Sequence, residues 1–398
     1  MSTDFDHIVI GAGISGLGAA HFSARRGLST LVLEASDRIG GCLNSHHFDA
    51  LGGFWTEAGG HTCFNSYGTL LSIMDDLGLT AQVQPKLKVG YALWKAGKRR
   101  SILSALHLLE AATAIPRIFR EPKDGQRVAD YYGRILGHRN YEDLLRYAFQ
   151  AVICQPADDY PAEALFRRKP RRKEVIKAFT FAEGLSAIPQ AIAAQPSLDV
   201  RTGQQITAIQ HEGAGFQVSM ANGEQFRCDT LTLAVPPDAA TALLPDDLAA
   251  VRAITSSIGM AEIETLVLVV RNSDLPLKPL AGLIAVDDAF YSAVSRDFRP
   301  DANYRGFAFH FRPGVLCEEH QLTHACTVLG IEPKRIAAHA AIHNRLPALR
   351  YGHLERVQQL DHALAGTRLG MTGNWFLGVS VEDALTRSYS ESERLFQS

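Results

Sequence analysis

His-Ile-Val-Ile-Gly-Ala-Gly-Ile-Ser-Gly, residues 7–16, is the stretch that decides the fold of this chain. A short apolar run leads into Gly11, Gly13 and Gly16, and residues 17–26 continue as a helix-like segment. The pattern predicts a strand, a turn and a helix. Gly11 permits the tight turn, Gly13 lets the backbone approach a pyrophosphate, and Gly16 lets helix and strand pack closely. The helix N-terminus offers free N–H groups and a positive dipole end to phosphate.

A second apolar run follows this unit and ends on an acidic residue. Leu31-Val32-Leu33 precedes Glu34, which lies 34 − 16 = 18 residues after Gly16. That offset is close to the roughly 20 residues at which a carboxylate binds a ribose hydroxyl. An ordinary βαβ unit with a glycine-rich turn would leave Glu34 without a role, so the layout indicates a dinucleotide pocket.

Two further glycine pairs favour FAD over a nicotinamide cofactor. They lie in LEASDRIGGCLNS, residues 33–45, and in EAGGH, residues 57–61. FAD lies extended across its domain, and glycine permits backbone to pass close to its ribityl chain and ring. These segments resemble the superfamily of flavin monoamine oxidases, protoporphyrinogen oxidases and phytoene desaturases.

The resemblance extends to the C-terminal segment and to the middle of the chain. MTGNWFLGVSVEDALTRSYSESERLF, residues 371–396, is similar to the closing motif of that superfamily, in which a strand ends at Gly-Asn and a helix then points at the flavin. By resemblance, Arg38 would lie by the pyrophosphate and Ile206 by the adenine. The FAD contacts that the resemblance implies are Gly11, Ala12, Gly13, Ile14, Ser15, Gly16, Glu34, Ala35, Arg38, Gly40, Gly41, Cys42, Ala58, Gly59, Gly60, His61, Ile206, Pro236, Gly373, Asn374, Val379, Ser380 and Val381.

The expected fold is α/β, with a Rossmann-like FAD-binding domain of the GR2 type built from separated segments. Residues 1–84, 190–240 and 345–398 are expected to form that domain. Residues 85–189 are predicted to be a helical insertion of the substrate side, since their apolar residues recur at helix-like intervals. Residues 241–344 are predicted to be a mixed substrate domain, because AEIETLVLVV at 261–270 alternates and then runs apolar as a sheet strand does.

The motif order is most similar to that of protoporphyrinogen oxidases. YALWKAGKRRSI at 91–102 resembles the family's short hairpin, and Pro347, Gly352 and His353 are in register with a Pro-x-x-x-x-Gly-His element. Ala348-Leu349 replaces the family's usual Gln-Tyr pair, and the chain is shorter than most members. Both departures fall where substrate binds, so a smaller pyrrole-like or cyclic amine substrate remains an alternative.

Three other classes are weighed against that interpretation. Amine oxidases usually carry a lysine on the strand facing flavin N5 and two aromatic residues around the amine. Strand 261–270 has no lysine, Lys278 lies in a turn-like segment, and Trp375 has no obvious second partner. An amine or cyclic imine oxidase is therefore the second hypothesis. A GDP-dissociation-inhibitor-like binding protein and a nicotinamide dehydrogenase are remote ones, because the flavin fingerprint is retained.

The predicted reaction is removal of a hydride from a C–H next to nitrogen, or within a pyrrole-linked carbon bridge, to flavin N5. Dioxygen is expected to reoxidise the flavin and give hydrogen peroxide. Such chemistry needs an apolar, water-poor pocket more than an acid–base pair. His61, beside the glycines, and His353 are the candidate catalytic residues, with a structural, hydrogen-bonded role as the alternative for each.

Composition is that of an ordinary globular protein. The 398 residues are 46% hydrophobic and 21% charged, and the net charge of −2 gives no reason to expect nucleic acid. The scattered cysteines indicate reduced thiols and neither a disulfide framework nor a metal site. The chain shows no signal peptide and no apolar run of about 18 residues, which predicts a cytoplasmic location. Oligomeric state and substrate identity are not readable from the sequence.

Two surface features bear on partners. Residues 167–173, RRKPRRK, place six cations in seven positions. They form either a solvated loop or a rim that attracts a carboxylate-bearing substrate, a partner or a membrane. Residues 101–119 form an apolar segment whose side chains are expected to belong to the core, with peripheral membrane contact as the alternative.

Overall fold

The computed structural model describes residues 3–397, except for the side chains of residues 115 and 116. In chain order the strands are β1 (Phe5–Ile10), β2 (Thr30–Leu33), β3 (Ser45–Phe48), β4 (Phe54–Glu57), β5 (Cys63–Phe64), β6 (Gln84–Pro85), β7 (Tyr91–Lys95), β8 (Lys98–Arg100), β9 (Ala178–Thr180), β10 (Leu198–Arg201), β11 (Ile206–Glu212), β12 (Gly215–Met220), β13 (Gln225–Leu233), β14 (Gly259–Arg271), β15 (Gly282–Val286), β16 (Phe290–Ser295), β17 (Tyr304–Phe311), β18 (Ile336–Ala348) and β19 (Leu369–Met371). The α-helices are α1 (Ile14–Ala24), α2 (Gly68–Asp76), α3 (Leu108–Ala114), α4 (Val128–Leu136), α5 (His138–Asn140), α6 (Arg146–Ile153), α7 (Ala187–Ala193), α8 (Pro237–Leu243), α9 (Ala249–Ser256), α10 (Glu318–Leu329), α11 (His353–Leu364) and α12 (Val381–Phe396).

The first large sheet carries the glycine turn. Its order is β10-β2-β1-β13-β12-β11, with β19 also paired to β13. The pairs β10–β2, β2–β1, β1–β13 and β13–β19 are parallel. Ile8 and Leu31 pack into the core on one face of the sheet, whereas Val9 and Val32 pack into the core on the other. Burial on both faces is what the continuous apolar runs of β1 and β2 require.

The second large sheet has the order β18-β14-β17-β16-β15-β7-β8. The run 266–270 of β14 is fully buried and alternates between two environments. Leu266 and Leu268 pack in the cluster that includes α10, whereas Val267 and Val269 pack against residues of β3 and β4. The alternation of period two therefore places the odd-numbered side chains of β14 on the face turned towards the first part of the chain.

The three segments expected to build the FAD domain all contribute strands to the first sheet. Two of the observed boundaries differ from the predicted ones. Residues of α8 and α9, which fall mostly in the stretch 241–344, pack in the same core as α11 and β13 because their apolar side chains face that sheet. β18 runs without a break through residue 344 to Ala348, paired along its length with β14. The hairpin β7–β8 forms as expected and joins the second sheet through β15.

Segment 101–119 differs from the core expectation. It forms a 3₁₀ turn (Ile102–Ala105), α3 and a second 3₁₀ turn (Ile115–Phe119). Leu103, Leu108, Leu109 and Phe119 are 74%, 72%, 88% and 87% exposed. The helical period of the sequence did not predict this exposure. Such a period shows that a helix has an apolar face, but it does not show whether another part of the chain covers that face.

Candidate active site

The glycine turn between β1 and α1 has two close backbone approaches and one open glycine. Gly11 has φ +102°, and a Cβ there would meet the carbonyl oxygen of Ala234 at 2.6 Å. A Cβ on Gly16 would lie 1.9 Å from the carbonyl oxygen of Gly11. A Cβ on Gly13 would meet nothing closer than the Cα of Gly41, at 3.9 Å. Gly13 is therefore free of protein contact on its open side, where a ligand can approach.

A long groove of about 520 Å³ follows the end of the first sheet. It passes over the turn and the end of β2, reaches the segment before β11 and continues to the strand end at β19. The predicted cofactor residues that border it are Gly11, Gly13, Ile14, Ser15, Glu34, Ala35, Gly41, Cys42, Ile206, Pro236, Gly373 and Asn374. The Glu34 carboxylate accepts hydrogen bonds from the backbone N–H groups of Ala12 and Ser36, at 2.8 and 2.9 Å, which fixes its place in the groove.

A second cavity of about 170 Å³ continues from this groove. The two share Ile14, Cys42 and Asn374. The predicted cofactor residues at its wall are Ile14, Cys42, Ala58, Gly59, Gly60, His61, Asn374, Val379, Ser380 and Val381. The residues bordering it carry no ionised carboxylate, lysine or arginine in the described part of the chain. The arrangement fits a long cofactor with an adenosine end in the groove and a ring in the apolar cavity.

The N-terminus of α12 is fixed beside this cavity by its own cap. The Ser380 hydroxyl accepts a hydrogen bond from the Asp383 N–H at 3.1 Å, as an N-cap serine does. Gly378, just before it, has φ +152°, and a Cβ there would meet the carbonyl oxygen of Ala164 at 2.8 Å. The cap and the glycine place Val379, Ser380 and Val381 at the cavity wall.

Some predicted site residues lie outside both spaces. Ala12, Gly16, Arg38 and Gly40 border neither the groove nor the cavity. The Arg38 guanidinium donates a hydrogen bond to the carbonyl oxygen of Gly41 at 2.9 Å. His353 is buried, and its Nε2 hydrogen-bonds the carbonyl oxygen of Trp375 at 2.6 Å. His353, the second predicted catalytic candidate, borders neither space, and its hydrogen bond to Trp375 fits the structural alternative.

Three polar residues at the cavity wall were missed from the sequence: Thr265 of β14, His310 of β17 and Asn344 of β18. Of the three, only His310 interrupts an apolar run, between Phe309 and Phe311, and that interruption is the one signal that could have found it. His310 Nε2 lies 3.0 Å from His61 Nε2. The cavity thus holds a histidine pair that includes the predicted His61.

Glu57 is a buried carboxylate beneath the loop that carries Gly59, Gly60 and His61. It accepts hydrogen bonds from the Leu185 N–H and the Ser45 hydroxyl, both at 2.8 Å. Burial raises its pKa from the ordinary 4.5 to about 7, and the two hydrogen bonds together with Lys86 and Arg296 oppose the rise.

Glu57→Gln is expected to remove a pH dependence of stability. The folded protein keeps the Glu57 proton between pH 4.5 and 7, where the unfolded chain has lost it, so wild-type stability falls as pH rises through that window. The fall amounts to about 3 kcal/mol, and a neutral glutamine does not contribute it. Urea unfolding of both proteins at fixed FAD concentration from pH 4.5 to 8 measures the difference. Parallel curves for the two proteins would contradict the assignment.

The cation run 167–173 is partly used inside the fold. Lys169 Nζ lies 2.6 Å from Asp383 Oδ1 near the start of α12, and Arg172 pairs with Glu174 at 2.7 Å. Arg168, Arg171 and Lys173 are exposed. The run is therefore both a brace for the closing helix and an exposed basic surface.

Comparison with known proteins places this chain in a family of flavin-dependent oxidoreductases. The family model described as flavin containing amine oxidoreductase matches residues 14–303, which is most of the chain. The chain belongs to that family, and this confirms the predicted superfamily, the α/β fold class, the FAD cofactor and the class of FAD-dependent oxidoreductase.

Individual relatives agree with this placement. The chain is 33% identical over 79 residues to a probable flavin-containing monoamine oxidase A of Dictyostelium discoideum, a stretch that is 20% of this chain and 17% of the relative. It is 42% identical over 76 residues to protoporphyrinogen oxidase 2 of Arabidopsis thaliana, 19% of this chain and 14% of the relative. The matched stretches thus span less than a fifth of each relative.

The fold as a whole resembles solved structures. The crystal structure of a protein named "Putative protoporphyrinogen oxidase" from Exiguobacterium sp. 255-15 matches with a TM-score of 0.76 over 99% of both chains, at 17% identity. At that identity the likeness concerns the fold alone. In the described residues no helix is both long and apolar enough to cross a bilayer.

Proposed function

We propose that this protein oxidises an uncharged pyrrole- or amine-type substrate with FAD. A hydride leaves a C–H next to nitrogen, or in a pyrrole-linked carbon bridge, for flavin N5, and dioxygen then takes the electrons to give hydrogen peroxide. The observation that carries the proposal is the uncharged cavity continuous with the cofactor groove. Its wall has apolar side chains and a few hydrogen-bonding groups, the composition that suits a neutral ring system.

FAD fits the residues present. Gly13 and the N-terminus of α1 would hold its pyrophosphate, Glu34 would hold its ribose, and Val379, Ser380 and Val381 would border its ring. When bound, FAD supplies the two-electron acceptor. The chain binds the substrate against the ring, excludes water through Ile263 and Leu346, and places hydrogen-bonding groups at the opposite wall.

Within the proposal, a protoporphyrinogen-oxidase-like substrate is favoured over a charged amine. Trp375 is stacked on Phe376 with ring centroids 3.9 Å apart, and its N–H donates to the carbonyl oxygen of Val235. Its ring is therefore used in the core and does not form one side of an aromatic cage. Lys278 lies in an exposed connection between β14 and β15. An amine or cyclic imine substrate remains the second candidate, provided that it reacts in its neutral form.

The test is anaerobic bleaching of the flavin spectrum of the purified holoprotein. Protoporphyrinogen, coproporphyrinogen, cyclic amines and primary amines are offered separately, and reoxidation by air is followed by peroxide assay. Bleaching by a porphyrinogen supports the first candidate and bleaching by an amine alone supports the second. Failure of every compound to bleach the flavin would contradict the proposal.

We further propose that segment 101–119, whose exposed apolar side chains are Leu103, Leu108, Leu109 and Phe119, docks on an anionic lipid membrane. The exposed cations Arg99, Arg100, Arg117 and Arg120 lie near the two ends of this segment and complement anionic headgroups. At the interface of a bilayer, apolar side chains can contact the acyl chains while the neighbouring cations contact the anionic headgroups.

Sedimentation with vesicles checks this contact. The double variant Leu109→Ser, Phe119→Ser is expected to bind vesicles containing phosphatidylglycerol at least about tenfold more weakly, since each buried apolar side chain contributes about 1.5–3 kcal/mol. Val315→Ser, on an apolar residue 53% exposed elsewhere, is the matched control and should bind as wild type does. Equal binding of the double variant and wild type would contradict membrane docking.

A further inference from the structure

A chain of hydrogen-bonding side chains lines the wall of the apolar cavity. His61 Nε2 and His310 Nε2 are 3.0 Å apart, and His310 Nδ1 is 3.2 Å from the Thr265 hydroxyl. The Asn344 amide nitrogen donates to the same hydroxyl at 2.9 Å. All four residues border the cavity. They form a continuous polar strip on a wall that is otherwise apolar.

The strip is built by strand register. Thr265 of β14 lies directly opposite His310 of β17, and Asn344 comes from β18 on the other side of β14. His61 reaches the strip from the loop after β4. Lys86 Nζ donates to the carbonyl oxygen of His61 at 2.7 Å, which fixes that loop from outside the cavity. Two parts of the chain that are far apart in sequence therefore meet at the histidine pair.

The hydrogens of the strip have two consistent arrangements. The Asn344 amide nitrogen also donates to the Ala58 carbonyl oxygen at 3.1 Å, so its N–H side faces Thr265 and the hydroxyl oxygen accepts. In one arrangement the Thr265 hydroxyl donates to His310, and His310 donates to His61, whose Nδ1 then carries a hydrogen. In the other, His61 donates to His310 and His310 to Thr265, which leaves a free lone pair on His61 Nδ1.

We propose that the His61–His310 pair accepts the proton that the substrate loses during oxidation. The inference rests on the proposed function. A substrate C–H bond breaks and its hydrogen leaves with both electrons for the flavin. An N–H bond, or a neighbouring C–H bond, also breaks; its electron pair forms the new C=N or C=C bond, and its proton goes to His61 Nδ1. His310 shares the resulting charge, and the proton passes to water when product leaves.

The surroundings suit a neutral base. Burial lowers the pKa of both histidines, that of His310 to about 4, so the pair is uncharged at neutral pH and has a lone pair to offer. The charged groups facing the loop of His61 are Lys86, at its carbonyl, and Glu57 beneath it. A cavity wall without carboxylates does not stabilise a cationic amine, so an amine would enter in its neutral form. The substrate class is therefore a compound with an N–H or acidic C–H that reacts neutral.

Two readouts test the pair. In the FAD-loaded protein labelled with ¹⁵N-histidine, a scalar coupling between the two Nε2 atoms is expected, and both rings should stay neutral at pH 6. With the compound that bleaches wild-type flavin, and with every protein saturated with FAD, His61→Gln and His310→Gln should slow bleaching by about 100- to 10,000-fold. Glutamine keeps a hydrogen-bonding group and has no basic nitrogen.

His343→Gln is the matched control, since His343 lies on β18 next to Asn344 but is exposed and pairs with Glu262. It should bleach at the wild-type rate. Wild-type bleaching in His61→Gln, or two histidines that titrate independently near pH 6.5 without coupling, overturns the proton-accepting role and leaves the proposed function standing. Absence of wild-type bleaching with every compound overturns both.

Discussion

Gly13→Leu is expected to abolish FAD binding while the protein stays folded. Gly13 borders the cofactor groove, and its open side meets no protein atom closer than 3.9 Å. A leucine side chain would project into the space where the pyrophosphate contacts the helix N-terminus. Loss of that contact together with steric overlap should weaken binding by more than about 4 kcal/mol, or roughly 1000-fold.

Titration of the apoprotein with FAD, followed by flavin fluorescence, measures the change. Gly90→Leu is the matched control, because Gly90 is exposed, has no atom within 4 Å of an added Cβ and lies far from the groove in the fold. It should bind FAD as wild type does. A yellow Gly13→Leu protein with wild-type affinity would refute the phosphate site assigned to the turn.

The glycine turn could be predicted from sequence because the backbone contacts that require glycine there are mostly between residues close in the chain. The close approaches at Gly11 and Gly16 arise within a dozen residues or against one neighbouring strand, and residue type and spacing encode them. The closing motif from Gly373 to Val381 was predicted for the same reason. Its cap, glycine and helix start are contiguous in the chain.

The polar strip could not be predicted in the same way. His310, Thr265 and Asn344 come from three strands, and only the register of β17, β14 and β18 brings them together. An isolated histidine or threonine in an apolar strand does not disclose its partner. His353 is the opposite case, a residue within a recognisable motif that does not line the cavity. Its ring hydrogen-bonds the carbonyl oxygen of Trp375. Proximity in sequence to a motif does not place a side chain in the cavity.

Gly16→Ala is expected to destabilise the whole protein, although alanine normally favours a helix over glycine by about 1 kcal/mol. The added Cβ would lie 1.9 Å from the carbonyl oxygen of Gly11, and no side-chain rotation relieves a contact with backbone. α1 would have to move away from β1, and its N-terminal N–H groups would leave the groove. We expect a loss of more than about 4 kcal/mol in the free energy of unfolding, measured by urea denaturation, together with loss of FAD.

Gly18→Ala, two residues further along α1, separates this backbone contact from ordinary crowding. Its added Cβ would lie 2.4 Å from Cδ2 of Leu385 on α12, the tip of a side chain that can change rotamer. The expected loss is about 1–3 kcal/mol, with FAD still bound. Equal losses in the two variants would mean that helix packing in general, and not the approach of α1 to the turn, sets the requirement for glycine. A much larger loss in Gly16→Ala would show that the glycine fixes the helix N-terminus where phosphate must bind.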